Sequence, residues 1–86
     1  MPTISFFYGI LIRMFYNDHE PPHFHALYGE FQATIAIDEL RVLEGELPRR
    51  ALDLVLDWAE LHQDELRENW RLARTKNAPK KIRPLR

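Results

Sequence analysis

Apolar and polar positions alternate through the first half of the chain and change period near residue 48. Ile10, Ile12, Met14 and Tyr16 alternate with Leu11, Arg13 and Phe15, a period of two that predicts a strand. Gly9 either ends a short preceding strand, Ile4 to Phe7, or marks a bulge. "YNDHEPP" reads as the next turn: Asn17 and Asp18 suit turn geometry, and two prolines delay any ladder. "HFHALY" predicts a strand, "GE" a tight turn with Gly29 at positive φ, and "FQATIAID" a strand with Phe31, Ala33, Ile35 and Ile37 on one face. "LRVLEG" predicts a further strand ended by Gly45.

From "ELPRRALDLVLDWAELHQDELRENWRLART" onward, Ala51, Val55, Trp58, His62, Leu66, Trp70 and Ala73 recur at three- and four-residue steps. This is the apolar stripe of an amphipathic helix. Pro48 suits its first turn, where a missing N–H is no loss. Acids dominate the early part of the wet face and bases the late part, in line with the helix dipole. At 1.5 Å per residue the helix would be roughly 40 Å long. That exceeds the breadth of a domain this size, so a bend near His62 to Asp64 or an overhanging end is expected.

A meander with one apolar face needs a cover, and one amphipathic helix supplies it. The expected fold is α+β: an antiparallel β-meander of about four strands, with one long C-terminal helix on one face and room for a short edge strand at Lys81 to Leu85. A single domain, 1–86, divides into a mostly β part (1–47), a helix (48–75) and a basic tail (76–86). Ile10, Ile12, Met14, Phe31, Ala33, Ile35 and Ile37 should meet Val55, Trp58 and Leu66 in the core, with Trp70 at its edge.

The composition, 45% hydrophobic and 29% charged over 86 residues, is ordinary for a globular protein. No apolar run approaches the roughly 20 residues that span a bilayer. The first residues carry no basic leader or small-residue cleavage site, so no signal peptide is expected. The absence of cysteine fits a cytoplasmic protein. The net charge of -1 hides an asymmetry: Arg71, Arg74, Lys76, Lys80, Lys81, Arg83 and Arg86 follow the last acid, Glu68. This basic end is either a solvated tail or a surface for phosphate or a partner. Lys80, Lys81 and Arg83 are its candidate contacts.

Three of the 4 histidines fall in "NDHEPPHFHALYG". Alternation puts Phe24, Ala26 and Tyr28 on one face of the strand and His23, His25 and Leu27 on the other. Phe24 and Tyr28 suit the helix side, which leaves His23 and His25 on the open face, near Arg13, Gln32 and Thr34. Three readings compete. His23 and His25 can share a metal ion from one face, with His19, Asp18 or Glu20 completing the shell. Alternatively, an imidazole pair can serve as general base and general acid. With Arg13 or the tail holding phosphate, that suffices for metal-independent RNA cleavage. Or the histidines are surface or interface residues with no chemistry. Nothing calls for a nucleotide cofactor. The mostly acidic helix surface and the lack of a helix-turn-helix pattern argue against sequence-specific DNA binding. His62, on the apolar stripe, is expected to be a hydrogen-bonded core residue.

With "MPTIS", "FYGILIRM", "NDHEPPHFHA", "LEGELPRRAL" and "ENWRLA" in view, the chain resembles a small prokaryotic family, the domain of unknown function catalogued under number 4160. The likeness runs from Pro2 to about Leu85. Its motif positions are Asn17, Asp18, His19, Pro22, His23, Phe24, His25 and Ala26, with Glu44, Gly45, Leu47, Pro48 and Arg49 at the helix start. The resemblance implies a toxin–antitoxin-like gene context and a partner from a second small family, numbered 2442, as antitoxin. With the histidine cluster and the charge asymmetry, the expectation is a toxin component, with His19, His23, His25 and Arg13 forming an active or target-binding surface. The alternative is a non-enzymatic adaptor that binds protein through the same face.

Overall fold

The structure, a computed structural model, describes residues 2–86. Five strands, β1 (Thr3–Phe7), β2 (Ile10–Arg13), β3 (His23–Tyr28), β4 (Phe31–Ala36) and β5 (Val42–Glu46), form one antiparallel sheet in chain order. Two helices follow, α1 (Arg49–Leu61) and α2 (Gln63–Arg74). The α+β meander is as expected, with five strands in place of about four and two helices in place of one long helix.

The extra strand is β1. Tyr8 and Gly9 both lie in the left-handed region, at φ 49 and φ 79, and Phe7 pairs directly with Ile10. Two such residues in a row make a tight hairpin whose twist matches the strands it joins. Gly9 is thus a turn residue, not a bulge. β2 stops at Arg13, short of Tyr16. There the chain turns from the sheet to the helices: the Asn17 N–H donates to the Ala73 carbonyl at 3.0 Å. Gly29 takes φ 57 in the β3–β4 turn, as its neighbours require. Gly45 does not end β5 but lies within it at φ 77, where a Cβ would stand 2.1 Å from the Gln32 carbonyl oxygen.

The helix bends where its length demands. The molecule is 33 Å along its longest axis, and a straight helix would project beyond it. The break falls at His62, φ -124 and ψ 26. Gln63 then donates through Nε2 to the Ile37 carbonyl at 2.9 Å, and Arg67 pairs with Asp38 at 2.8 Å. Both contacts pin the start of α2 to the β4–β5 loop.

The core sits between sheet and helices around Trp58, with Phe24, Ile4, Ile12, Ile35 and Leu66 fully buried. Phe31, expected there, is 38% exposed; it pairs with Tyr28 at the hairpin end of β3 and β4, beside the turn. Tyr28 is likewise partly exposed. Residues Lys81 to Leu85 form no edge strand. One backbone bond, Ile82 N–H to the Ile4 carbonyl at 2.7 Å, replaces a ladder. The tail's backbone is nevertheless fastened, while its basic side chains stay exposed. Trp58 Nε1 donates to the Arg83 carbonyl, Asn69 bonds both backbone groups of Lys80, and Ile82 is buried. No helix among the described residues is long and apolar enough to cross a membrane.

Candidate functional site

The segment between β2 and β3 folds back over one end of the sheet. Besides the Asn17–Ala73 bond, Arg74 forms an ion pair with Glu20, and the Pro22 carbonyl accepts the Ile37 N–H at 3.0 Å. The Glu20–Pro21 peptide is cis. The loop carries Asp18 inward, onto the first residues of β3.

There Asp18 meets two histidines. Its Oδ2 lies 2.9 Å from His23 Nε2 and 3.4 Å from His25 Nε2, while Oδ1 accepts the His19 backbone N–H at 2.9 Å. The far ring nitrogens are also held. His23 Nδ1 is 2.7 Å from the Pro21 carbonyl, and His25 Nδ1 is 3.5 Å from Thr34 Oγ1. One ligand atom from each of Asp18, His23 and His25 lies within 4.8 Å of the other two. Among the described residues, these three are placed to hold a cation.

His23 is only 2% exposed, which corrects its expected place on an open face. Its strand parity is as read, since Phe24 and Ala26 face the core. The returning loop covers this end of the sheet, however, and Trp70 of α2 packs on the ring at 5.1 Å between centroids. The residue opposite on β4 is Ala36, small enough to leave the imidazole its space. His25 and Asp18 keep 13% and 17% of their side chains exposed, so the cluster opens on their side. Phe15 lies against His25 at 4.2 Å.

The proton inventory of His23 is constrained. A carbonyl oxygen only accepts, so Nδ1 carries a hydrogen toward Pro21. A carboxylate also only accepts, yet it faces Nε2. One neutral imidazole cannot donate at both nitrogens. Either a second proton or another cation lies between Nε2 and Asp18. Burial pushes the Asp18 carboxyl up, but hydrogen bonds from the His19 N–H, His23 and His25 outweigh it and hold the group below its usual range. Burial pushes His25 below its usual value, against the opposing pull of Asp18.

Arg13 pairs across the strands with His25, His25 with Thr34, and Thr34 with Glu44. The four side chains form one row across the open face. Arg13 Nε is buried with no hydrogen-bond partner among the described residues. The remaining candidates stand apart. The His19 side chain is 82% exposed, with Nδ1 on the Glu20 carbonyl. Lys80 and Lys81 line a shallow recess with Glu65 and Glu68 beside α2, and Arg83 lies beside Leu61 and His62. His62 is half-buried rather than a core residue. It sits at the break between the helices, 2.5 Å from Glu65 and tilted against Trp58 at 5.6 Å between ring centroids. A cleft of about 310 Å³ between Tyr8, Tyr28 and the start of α1 lies at the opposite end of the sheet.

Sequence reasoning missed the part played by Trp70, which it assigned to the core, and that of Phe15. It named Asp18 only as one of several residues able to complete a shell. The available signal was the position of Asp18 in a proline-rich turn leading straight into the histidines.

Fold and site together define a small α+β protein with an Asp–His–His centre at one end of an antiparallel meander. The chain belongs to the family described as "Domain of unknown function (DUF4160)", whose model matches residues 9–71. That span includes Arg13, Asp18, His23, His25 and Trp70 and stops short of the basic tail. No curated protein and no solved structure matches the chain.

Proposed function

We propose that the protein is the toxin component of a toxin–antitoxin-like module and that it acts on RNA at the Asp18–His23–His25 centre. One observation carries this reading: an arginine with an unpartnered buried Nε stands directly across the strands from His25. Cleavage of RNA by its own 2′-hydroxyl needs a group to take the proton of the attacking oxygen. It also needs fixed positive charge facing the phosphate, and a proton for the departing 5′-oxygen. Arg13 is the phosphate contact in this reading. The centre manages the protons. The basic tail offers a second surface, for RNA phosphate or for an acidic, antitoxin-like partner of the family numbered 2442.

The test is the purified protein on a structured RNA, beside Arg13→Ala and His25→Ala. Both variants should stay folded, as read by far-UV circular dichroism, and lose cleavage by about a hundredfold or more. Intact RNA after incubation with the wild-type protein would remove the reading.

A second reading rests on a different row. Phe6, Leu11 and Leu27 neighbour one another across β1 to β3 on the same open face, and Phe6 is 57% exposed. An adaptor binding protein through this face would lose its partner with Phe6→Ser, whereas a nuclease would keep cleaving.

A further inference from the structure

We propose that Asp18, His23 and His25 form a binding site for a divalent transition metal ion of the zinc class, one per chain. Three observations converge. First, His23 Nδ1 donates to the Pro21 carbonyl at 2.7 Å, so a neutral ring turns its Nε2 lone pair toward the Asp18 carboxylate. Two electron-rich atoms 2.9 Å apart repel unless a positive species joins them. His25 Nε2 turns toward the same oxygen. Protons can meet these contacts separately, an N–H of neutral His25 on one side and a second proton on His23 on the other; a single metal ion satisfies all three atoms at once.

Second, the spacing suits a coordination shell. Ligands at about 2.0–2.2 Å from an ion lie about 2.8–3.6 Å apart along tetrahedral or octahedral edges. The two separations from Asp18 Oδ2, 2.9 and 3.4 Å, fall in that range; the three ligand atoms lie within 4.8 Å of one another, so the two imidazoles would close toward a bound ion. Third, the outer contacts are of the kind that orient metal-binding imidazoles. His23 has a backbone carbonyl on its far nitrogen and His25 a threonine hydroxyl, which fix ring orientation and tautomer.

Two imidazoles and a carboxylate suit zinc, iron(II), cobalt(II) and nickel(II) better than magnesium or calcium, which prefer oxygen ligands. Three protein ligands leave at least one position for water or a ligand oxygen, and the cluster is open beside His25 and Asp18. A role for the ion in RNA cleavage rests on the function proposed above. Binding of the ion does not.

The full chain, stripped with chelator and titrated with cobalt(II) and zinc at pH 7.5, tests the site. One equivalent should bind at micromolar or lower Kd, with cobalt absorption in the visible. Zinc should shift the ring nitrogen NMR signals of His23 and His25 and leave those of His62 in place, a readout that needs no variant. His25→Ala should weaken binding at least about tenfold. No saturable binding up to millimolar zinc would overturn the proposal, as would shifts confined to His62 or undiminished binding by a folded His25→Ala protein. Failure here is separable from failure of the toxin reading. RNA cleavage by a protein that binds no metal sinks the site alone. A one-ion protein that leaves RNA intact sinks the toxin reading alone.

Discussion

His23 Nε2 lies 2.9 Å from Asp18 Oδ2, and this contact joins the loop, the sheet and, through Trp70, the second helix. Removing one partner strands the other. Asp18→Ala leaves a buried ring nitrogen of His23 facing nothing, at a cost of about 1–3 kcal/mol. Asp18→Asn is different, because its amide can donate to the lone pair of a neutral His23. Urea denaturation without metal should find Asp18→Asn closer to wild type than Asp18→Ala. Equal losses would mean that the carboxylate charge itself holds the loop, with a doubly protonated His23 as its partner.

Acid should weaken the metal-free protein in two stages. His25 has a folded pKa below its usual 6.5, so the unfolded chain takes up the proton first. Its contribution is present above about pH 6.5 and lost as the pH falls toward the folded value. Asp18 has a folded pKa below its usual 3.8. Its contribution persists above that value and disappears only as the pH drops through the lower, folded one. Melting curves in chelator should be level above pH 7, lower by pH 5 and lower again below pH 4. A melting temperature that rises on acidification from pH 7 to pH 5 would contradict the signs.

Gly45→Ala and Gly29→Ala separate backbone conformation from close approach. Both glycines have positive φ, but Gly29 faces open space while a Cβ at Gly45 would meet the Gln32 carbonyl at 2.1 Å. Gly29→Ala should cost about 1 kcal/mol. Gly45→Ala should cost clearly more, because β4 and β5 must separate to admit the methyl group. Thermal melts of the two variants compare them directly.

Trp70→Ala should disturb the centre as well as the core. The indole is buried and packs on His23 at 5.1 Å, so truncation should cost about 3 kcal/mol and free the His23 ring. His19→Ala removes an exposed side chain and should leave the melting temperature unchanged. NMR of the histidine rings would show whether His23 keeps its environment in each variant.

Much of this was legible in the sequence. Period two gave the parity of Phe24 and Ala26 correctly, and the stripe from Ala51 to Ala73 gave the helix and the region of its bend. The burial of His23 was not legible. Parity tells which face of a sheet a residue occupies, but not whether a distant loop covers that face. The contacts that fold the cover, Asn17 with Ala73 and Glu20 with Arg74, span more than 50 residues and leave no periodic trace. The anchoring of the tail was not legible either. Its basic side chains are exposed, as such a run reads, but only Ile82, Trp58 and Asn69 together show its backbone fastened. The short strand Ile4 to Phe7 ended by Gly9 was legible as one of two options, but the part of Tyr8 in its turn was not, because positive φ is rare for a residue with a Cβ.

The most direct test of the central claim, that the Asp18–His23–His25 centre is the working part of a toxin, is bacterial growth after induction of this chain alone, beside His25→Ala. His25 is the better target because its ring is partly exposed, whereas loss of the buried His23 threatens the fold. Growth arrest by wild type, and none by an equally abundant, folded His25→Ala protein, is the predicted result. Normal growth with both proteins, or arrest by both, would contradict the claim.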